Sequence, residues 1–159
     1  MADLTDSNIL NLTISGFLSV QGKISSAPIG ISGYKDNGGG DNTSTGPINW
    51  NGIWSNRGMQ VSNSTSRFTV PESGYYVISQ KNIGNNNSQL SVVFVDINGS
   101  NSNSIRSYAR GQSHSYPMTH SFAIFDLTVG DYIEFRKDSG NLYLAGNKDY
   151  TQFAIYKIG

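Results

Sequence analysis

The 159-residue chain contains no cysteine, which removes disulfides, thiolate metal sites and cysteine nucleophiles together. Charge is scarce as well. Asp, Glu, Lys and Arg make up 14% of the residues and the formal net charge is zero. No run of Lys or Arg is present to neutralise a row of phosphates, so a nucleic-acid partner is not expected, because counterion release has little to draw on. No apolar stretch approaches the length of a membrane span, and membrane insertion is not expected either. The first residues carry Asp3 and Asp6 instead of a basic segment, and Asn11, Thr13 and Ser15 interrupt the apolar positions that follow. That is not the pattern of a secretory signal.

Groups that carry chemistry are equally thin. Glutamate is represented by Glu72 and Glu134 alone, and neither belongs to a paired acid motif. The two histidines, His114 and His120, sit in a Ser-, Tyr- and Pro-containing segment and read as loop residues. Serine is abundant, but no Ser lies in a nucleophile motif. The stretch Asp36-Asn37-Gly38-Gly-Gly40-Asp41 through Pro47 joins glycines to Asx-turn formers, as a surface loop does. It lacks the Lys-Ser/Thr of a phosphate cradle, and the spacing of Asp36 and Asp41 does not fit an EF-hand. The expectation is a protein that is not an enzyme and needs no cofactor or metal.

Strand signals dominate what is there. Asn and Ser supply about a quarter of the residues and the apolar fraction is 36%, lower than usual for a globular domain. Strands that bury one face, joined by polar loops, produce that profile. Asn82 to Ser88 and Asn98 to Ser104 read as such connectors. The block Phe68-Thr-Val-Pro-Glu-Ser-Gly74-Tyr-Tyr76-Val-Ile-Ser joins a strand, a Pro-bearing turn and a second strand. With Trp50, Asn56 and Val61 upstream and Ile78 and Gln80 downstream, it resembles the pattern of the C1q globular head and the tumour necrosis factor superfamily. Asn56, Phe68, Gly74 and Tyr76 match that pattern; Trp50 keeps an aromatic where Phe is usual, and Val61, Ile78 and Gln80 depart.

Two later blocks carry the same resemblance. Leu127-Thr-Val-Gly130-Asp131-Tyr-Ile133-Glu-Phe135 is similar to the family's Leu-x-x-Gly-Asp turn into a late strand. Tyr150-Thr-Gln-Phe153-Ala-Ile-Tyr156-Lys-Ile is similar to its closing strand, with Gln152 where Gly is common. The resemblance implies an all-β antiparallel jelly-roll sandwich over residues 27–159. In that family the inner sheet packs on the outer sheet on one side and on neighbouring subunits on the other. Tyr75 to Ile78, Phe122 to Phe125 and Phe153 to Tyr156 fail to alternate, as strands covered on both faces do. A homotrimer is the expectation, with Tyr76, Ile78, Phe122, Ile124, Phe153, Ile155 and Tyr156 at the interface. Leu90 to Ile97 is also apolar on both faces although it belongs to the outer sheet.

Residues 1–26 read as a separate extended arm. Leu10, Leu12, Ile14, Gly16, Leu18, Val20, Gly22 and Ile24 recur with period two, which is a strand with one buried face. A lone strand leaves its backbone groups unpaired and needs a partner. The stretch from Gly16 to Ile24 resembles the Gly-x-Leu-x-Val-x-Gly-x-Ile repeats of bacteriophage fibre shafts. A reading of residues 10–24 as the first strands of the sandwich competes with this one. Arg106, Tyr108 and Arg110 alternate onto one face and, followed by His114 and Tyr116, form the densest mixture of Arg and aromatic side chains. With Asp36, Asn37 and Asp41 they make the candidate partner-binding surface. A solvated outer strand, its Arg stems covering the sheet, explains Arg106 to Arg110 equally well.

The functional expectation is a bacteriophage virion component: a capsid fibre, knob, decoration protein or fibre tip. It would be made in the host cytoplasm, anchored to capsid or tail proteins by its arm, and present a trimeric jelly roll to host-surface glycan. The alternative is a cellular C1q-like or lectin-like module, extracellular or on the cell surface, that binds carbohydrate or protein.

Overall fold

The computed structural model describes residues 28–36, 41–42, 44–62, 66–85, 90–110, 116–144 and 148–158. The arm with Leu10, Leu12, Ile14, Leu18, Val20 and Ile24 lies outside the described residues, as do Asn37 and His114. Thirteen strands follow in chain order among the described residues: β1 (Gly30–Lys35), β2 (Asp41–Asn42), β3 (Gly46–Pro47), β4 (Gly52–Arg57), β5 (Gln60–Ser62), β6 (Arg67–Thr69), β7 (Gly74–Ile83), β8 (Leu90–Ile97), β9 (Ser100–Arg110), β10 (Met118–Leu127), β11 (Tyr132–Ser139), β12 (Leu142–Tyr143) and β13 (Thr151–Ile158). One sheet runs β10-β7-β13-β1-β4 and the other β5-β6-β11-β8-β9, with β3 beside β11 and a small β12-β2 pair at one end. Every strand pairing is antiparallel.

The two sheets close on an aromatic cluster. Phe153 on β13 packs against Trp50, Phe68 and Phe135 at ring-centroid distances of 4.5, 4.7 and 5.3 Å. Tilted and edge-on rings pack better than flat sandwiches, and each such pair adds about 0.5–1.5 kcal/mol beyond its burial. Around it lie Ile31, Tyr76, Ile78 and Ile155 from the first sheet and Val93, Val95, Ile105 and Ile133 from the second. Period two decides this arrangement, since neighbours along a strand point to opposite faces.

The blocks that resemble the family each solve a local problem. Tyr76 is fully buried and its hydroxyl donates to the Glu72 carbonyl at 2.8 Å, which ties the Pro71 turn to the strand that follows. Burial pushes the Tyr76 phenol above the ordinary tyrosine value. Asn56 closes the β4-β5 turn by donating to the Met59 carbonyl and accepting from the Met59 amide at 3.0 and 3.1 Å. In the Leu-x-x-Gly-Asp turn, Gly130 takes a φ of 90° that side-chain-bearing residues resist. Asp131 then accepts from the Thr128 amide and from the Asn98 side-chain amide, each at 2.7 Å.

Several sequence expectations change. Asn98 to Ser104 is not a connector: Ile97 pairs with Ser100, so Asn98-Gly99 is a two-residue hairpin turn with both residues at positive φ, and β9 starts at once. Asn82 likewise belongs to β7, buried, and donates to Ser107 Oγ at 3.1 Å. The two-faced β8 also has a cause. Val92, Phe94 and Asp96 point away from the core yet are buried, because long side chains of the strands on either side lie over them. The Arg106 guanidinium sits 5.5 Å from the Phe94 ring centroid, and Arg136 reaches across to Asp96 at 3.6 Å. Arg stems here do the covering that a further layer does elsewhere.

Replacing Phe153 by Ala should lower the unfolding free energy by about 3–5 kcal/mol, and Tyr76→Phe by about 1 kcal/mol. Urea unfolding at neutral pH reads both; a near-zero loss for Phe153→Ala would show that the two sheets do not close on this cluster.

Candidate functional site

Three surfaces concentrate side chains that the core does not use. The first is the outer face of the β10-β7-β13-β1-β4 sheet. Register places Ile124, Val77 and Tyr156 in one cross-strand row, with Asp126, Tyr75 and Ile158 in the next. Phe122, Ile124 and Tyr75 are 67%, 55% and 57% exposed, and Tyr156 and Ile158 are exposed as well. Isolated apolar side chains on a surface are ordinary; a contiguous set on one sheet face marks an interaction site.

This divides the expected interface residues. Phe122, Ile124 and Tyr156 project outward, whereas Tyr76, Ile78, Phe153 and Ile155 are buried inside a single chain. Those four are corrected to core: alternation turns them toward the second sheet, where no subunit can reach them. Sequence reasoning passed over Tyr75, Val77 and Ile158 on the outward face. The exposed neighbours of each core residue carry that signal, because position i and position i+1 of a strand cannot share a face.

The second surface is the end of the sandwich where Lys35 pairs with Thr151 and Met118 with Ile83. Three tyrosines stack there. Tyr116 and Tyr143 have centroids 4.1 Å apart, and Tyr143 and Tyr150 stack at 5.4 Å. Tyr116 is exposed, so the ladder meets solvent. Tyr34 and Trp54 pack 5.3 Å apart on the neighbouring strands, with the Lys148 ammonium 5.3 Å from the Tyr34 ring centroid. Asp41 reaches this end through the backbone pairing of β2 with Tyr143. Asp36 is fixed by Asn51: its amide donates to Asn51 Oδ1 at 2.8 Å and its carbonyl accepts from the Asn51 amide nitrogen. Burial pushes the adjacent Lys35 ammonium below the ordinary lysine value, against the pull of Asp36. Tyr143 and Tyr150 were not singled out from sequence, since the ladder joins residues that only the closing strands bring together.

At the opposite end the described chain begins. Ile29 accepts there from the Lys157 amide at 2.9 Å, and the Lys157 ammonium meets Glu72 at 2.8 Å. The hydrogen bond to Glu72 holds the Lys157 ammonium above the ordinary lysine value. Chain entry and aromatic ladder therefore occupy opposite ends of the sandwich.

The third surface is the outer face of the second sheet. Arg106, Tyr108 and Arg110 do share one face of β9, alternating with the buried Ile105, Ser107 and Ala109. Arg67, Glu134, Arg136 and Asp96 form a network of ion pairs beside them, at 3.1, 3.2 and 3.6 Å. Among the described residues no group of three or more His, Asp or Glu side chains is placed to hold a metal ion.

A family model described as the C1q domain matches residues 36–156. No curated protein sequence matches. Among solved structures, murine APRIL at pH 5.0 superposes with a TM-score of 0.66 at 16% identity, covering 82% of this chain and 99% of that one. Eiger TNF from S. frugiperda superposes with a TM-score of 0.67 at 12% identity, covering 83% of this chain and 93% of that one. At such identities the likeness shows the fold: the C1q/TNF-type jelly roll.

Tyr143→Ala should remove both stacked pairs and cost about 1–3 kcal/mol, while far-UV circular dichroism keeps the sandwich signal and the near-UV tyrosine signal falls. An unchanged near-UV spectrum would mean that the ladder is not formed in solution.

Proposed function

The chain belongs to the C1q domain family, and from that premise we propose that it is a non-enzymatic binding and structural module that works as a homotrimer. The observation that carries this reading is the contiguous apolar face formed by Tyr75, Val77, Phe122, Ile124, Tyr156 and Ile158. Leaving such a face in water is costly, at about 25 cal/mol per Å² of apolar surface. A closed cyclic assembly buries it three times over and leaves no open edge for further growth.

The placement we propose is a bacteriophage virion: a capsid fibre, knob, decoration protein or fibre tip. The period-two arm of residues 1–26, similar to fibre-shaft repeats, supports it. So does the polarity of the fold, since the described chain enters at one end and the tyrosine ladder lies at the other. The arm would pair its strand edges with capsid or tail proteins. The ladder end, with Tyr116, Tyr143 and Tyr150 beside Asp41, would meet host-surface glycan, whose sugar rings pack on tyrosine faces. Weak single sites would be multiplied by trimeric avidity. The second reading, a cellular module of the same fold on a cell surface or outside the cell, uses the same tyrosine surface and lacks the virion anchor.

Deleting residues 1–26 should abolish attachment to virus particles in a co-sedimentation assay while the remaining domain still binds a host-cell glycan array. Retained attachment would overturn the anchoring role. Array binding unchanged by Tyr143→Ala would overturn the role of the ladder.

A further inference from the structure

On the outer face of the second sheet the cations divide into two kinds. Arg67 and Arg136 each reach an acid, Glu134 or Asp96. Arg106 and Arg110 of β9 reach none among the described residues. Register gives the reason. Arg106 lies opposite Phe94, Tyr108 opposite Val92 and Arg110 opposite Leu90, so every cross-strand partner is apolar, and β9 is the edge of its sheet. The sequence withholds acids more widely. It has no Asp or Glu from Ser73 through Val95, and none from Ile97 through Phe125. Asp96, between those stretches, is taken up by Arg136. Asp138, exposed on β11, stands two strand spacings from β9, about 10 Å.

Covering the sheet does not use up these charges. The Arg106 stem screens Phe94, with the guanidinium 5.5 Å from the ring centroid, yet its buried Nε–H has no hydrogen-bond partner among the described residues. Arg110 is exposed, and Tyr108 between the two arginines is 54% exposed. Alternate residues of a strand lie about 6.7 Å apart, so the two arginines leave the backbone about 13 Å apart with the phenol ring between them. That separation calls for two anionic groups on one ligand.

We infer that this strip binds an acidic oligosaccharide of the uronate class, with carboxylates at Arg106 and Arg110 and the intervening sugar ring on Tyr108. The guanidinium fork matches a planar carboxylate. Leu90, Val92 and Phe94 beside the strip keep the local dielectric low, which strengthens the attraction. A flat ring with a polar tip suits a sugar ring, apolar on its face and polar at its rim. The strip lies on the sheet opposite the proposed subunit face and apart from the tyrosine ladder, so it depends on neither. A trimer would carry three copies of it and bind a polymer with avidity.

Calorimetric titration of the full-length chain with oligogalacturonate, with its methyl ester as the uncharged match and with oligoglutamate as an acidic peptide, tests the site. Oligogalacturonate should bind, more weakly as salt is raised, and the other two should not. Arg106→Gln and Arg110→Gln should each weaken binding by about tenfold or more, and Tyr108→Ala should weaken it without changing the salt dependence. Tyr143→Ala should leave it unchanged, which separates the strip from the ladder. Near-UV circular dichroism identifies any variant that has lost its fold; Arg110, being exposed, can be changed without uncovering the sheet. Binding of the methyl ester as tight as that of the acid, or oligogalacturonate binding indifferent to Arg110→Gln, would overturn the site. Oligoglutamate bound as tightly as oligogalacturonate, with Tyr108→Ala silent, would overturn the assignment to a sugar.

Discussion

Phe153 is the contact on which the rest of the structure depends. It sits on the central strand of one sheet and touches Trp50, Phe68 and Phe135, so it sets the distance between the sheets. Its position also fixes the facing of its own strand: with Phe153 and Ile155 turned inward, Ala154 and Tyr156 must turn outward. The same rule propagates by register to β7 and β1. One buried ring therefore determines which side chains the protein can offer to anything outside itself.

The outward side of that sheet is consequently patterned in rows. On β7 and β13 large apolar residues occupy the rows near the chain entry, and Ser79, Ala154, Lys81 and Gln152 occupy the rows near the tyrosine ladder. The second sheet handles its outer surface differently. Arg67, Arg136 and Arg106 lie over Tyr132, Asp96 and Phe94 and screen them. A sheet whose apolar outer positions are covered by its own Arg stems has no need of a partner, whereas one that leaves Phe122 and Ile124 bare does. That contrast, more than the amount of apolar surface, is why the subunit face proposed above lies on the first sheet.

The fold was legible because its local devices are short-range. Asn56 closing its own turn, Tyr76 bonding the Glu72 carbonyl and Asp131 capping the Thr128 amide each act within a few residues, so their spacing survives in the sequence. The sites were less legible, because they depend on register. Nothing in the run Phe153-Ala-Ile-Tyr156 says which half is core until a facing strand is known, and Phe153, Ile155 and Tyr156 were all expected at the interface. Ser32, Ser79 and Ala154 become neighbours on the outer face only when three distant segments align. The ladder of Tyr116, Tyr143 and Tyr150 is a product of chain closure in the same way. Arg106, Tyr108 and Arg110 were found on one face as expected, since that alternation lies within a single strand.

The central claim is that the bare face of the first sheet is a subunit interface. Static light scattering of the full-length chain and of Ile124→Asp across a dilution series tests it most directly. The account predicts a trimer mass that persists on dilution for the natural chain, and a folded monomer for Ile124→Asp, whose core is untouched by the change. A natural chain that runs as a monomer at every concentration, or an Ile124→Asp variant that remains trimeric, would contradict it.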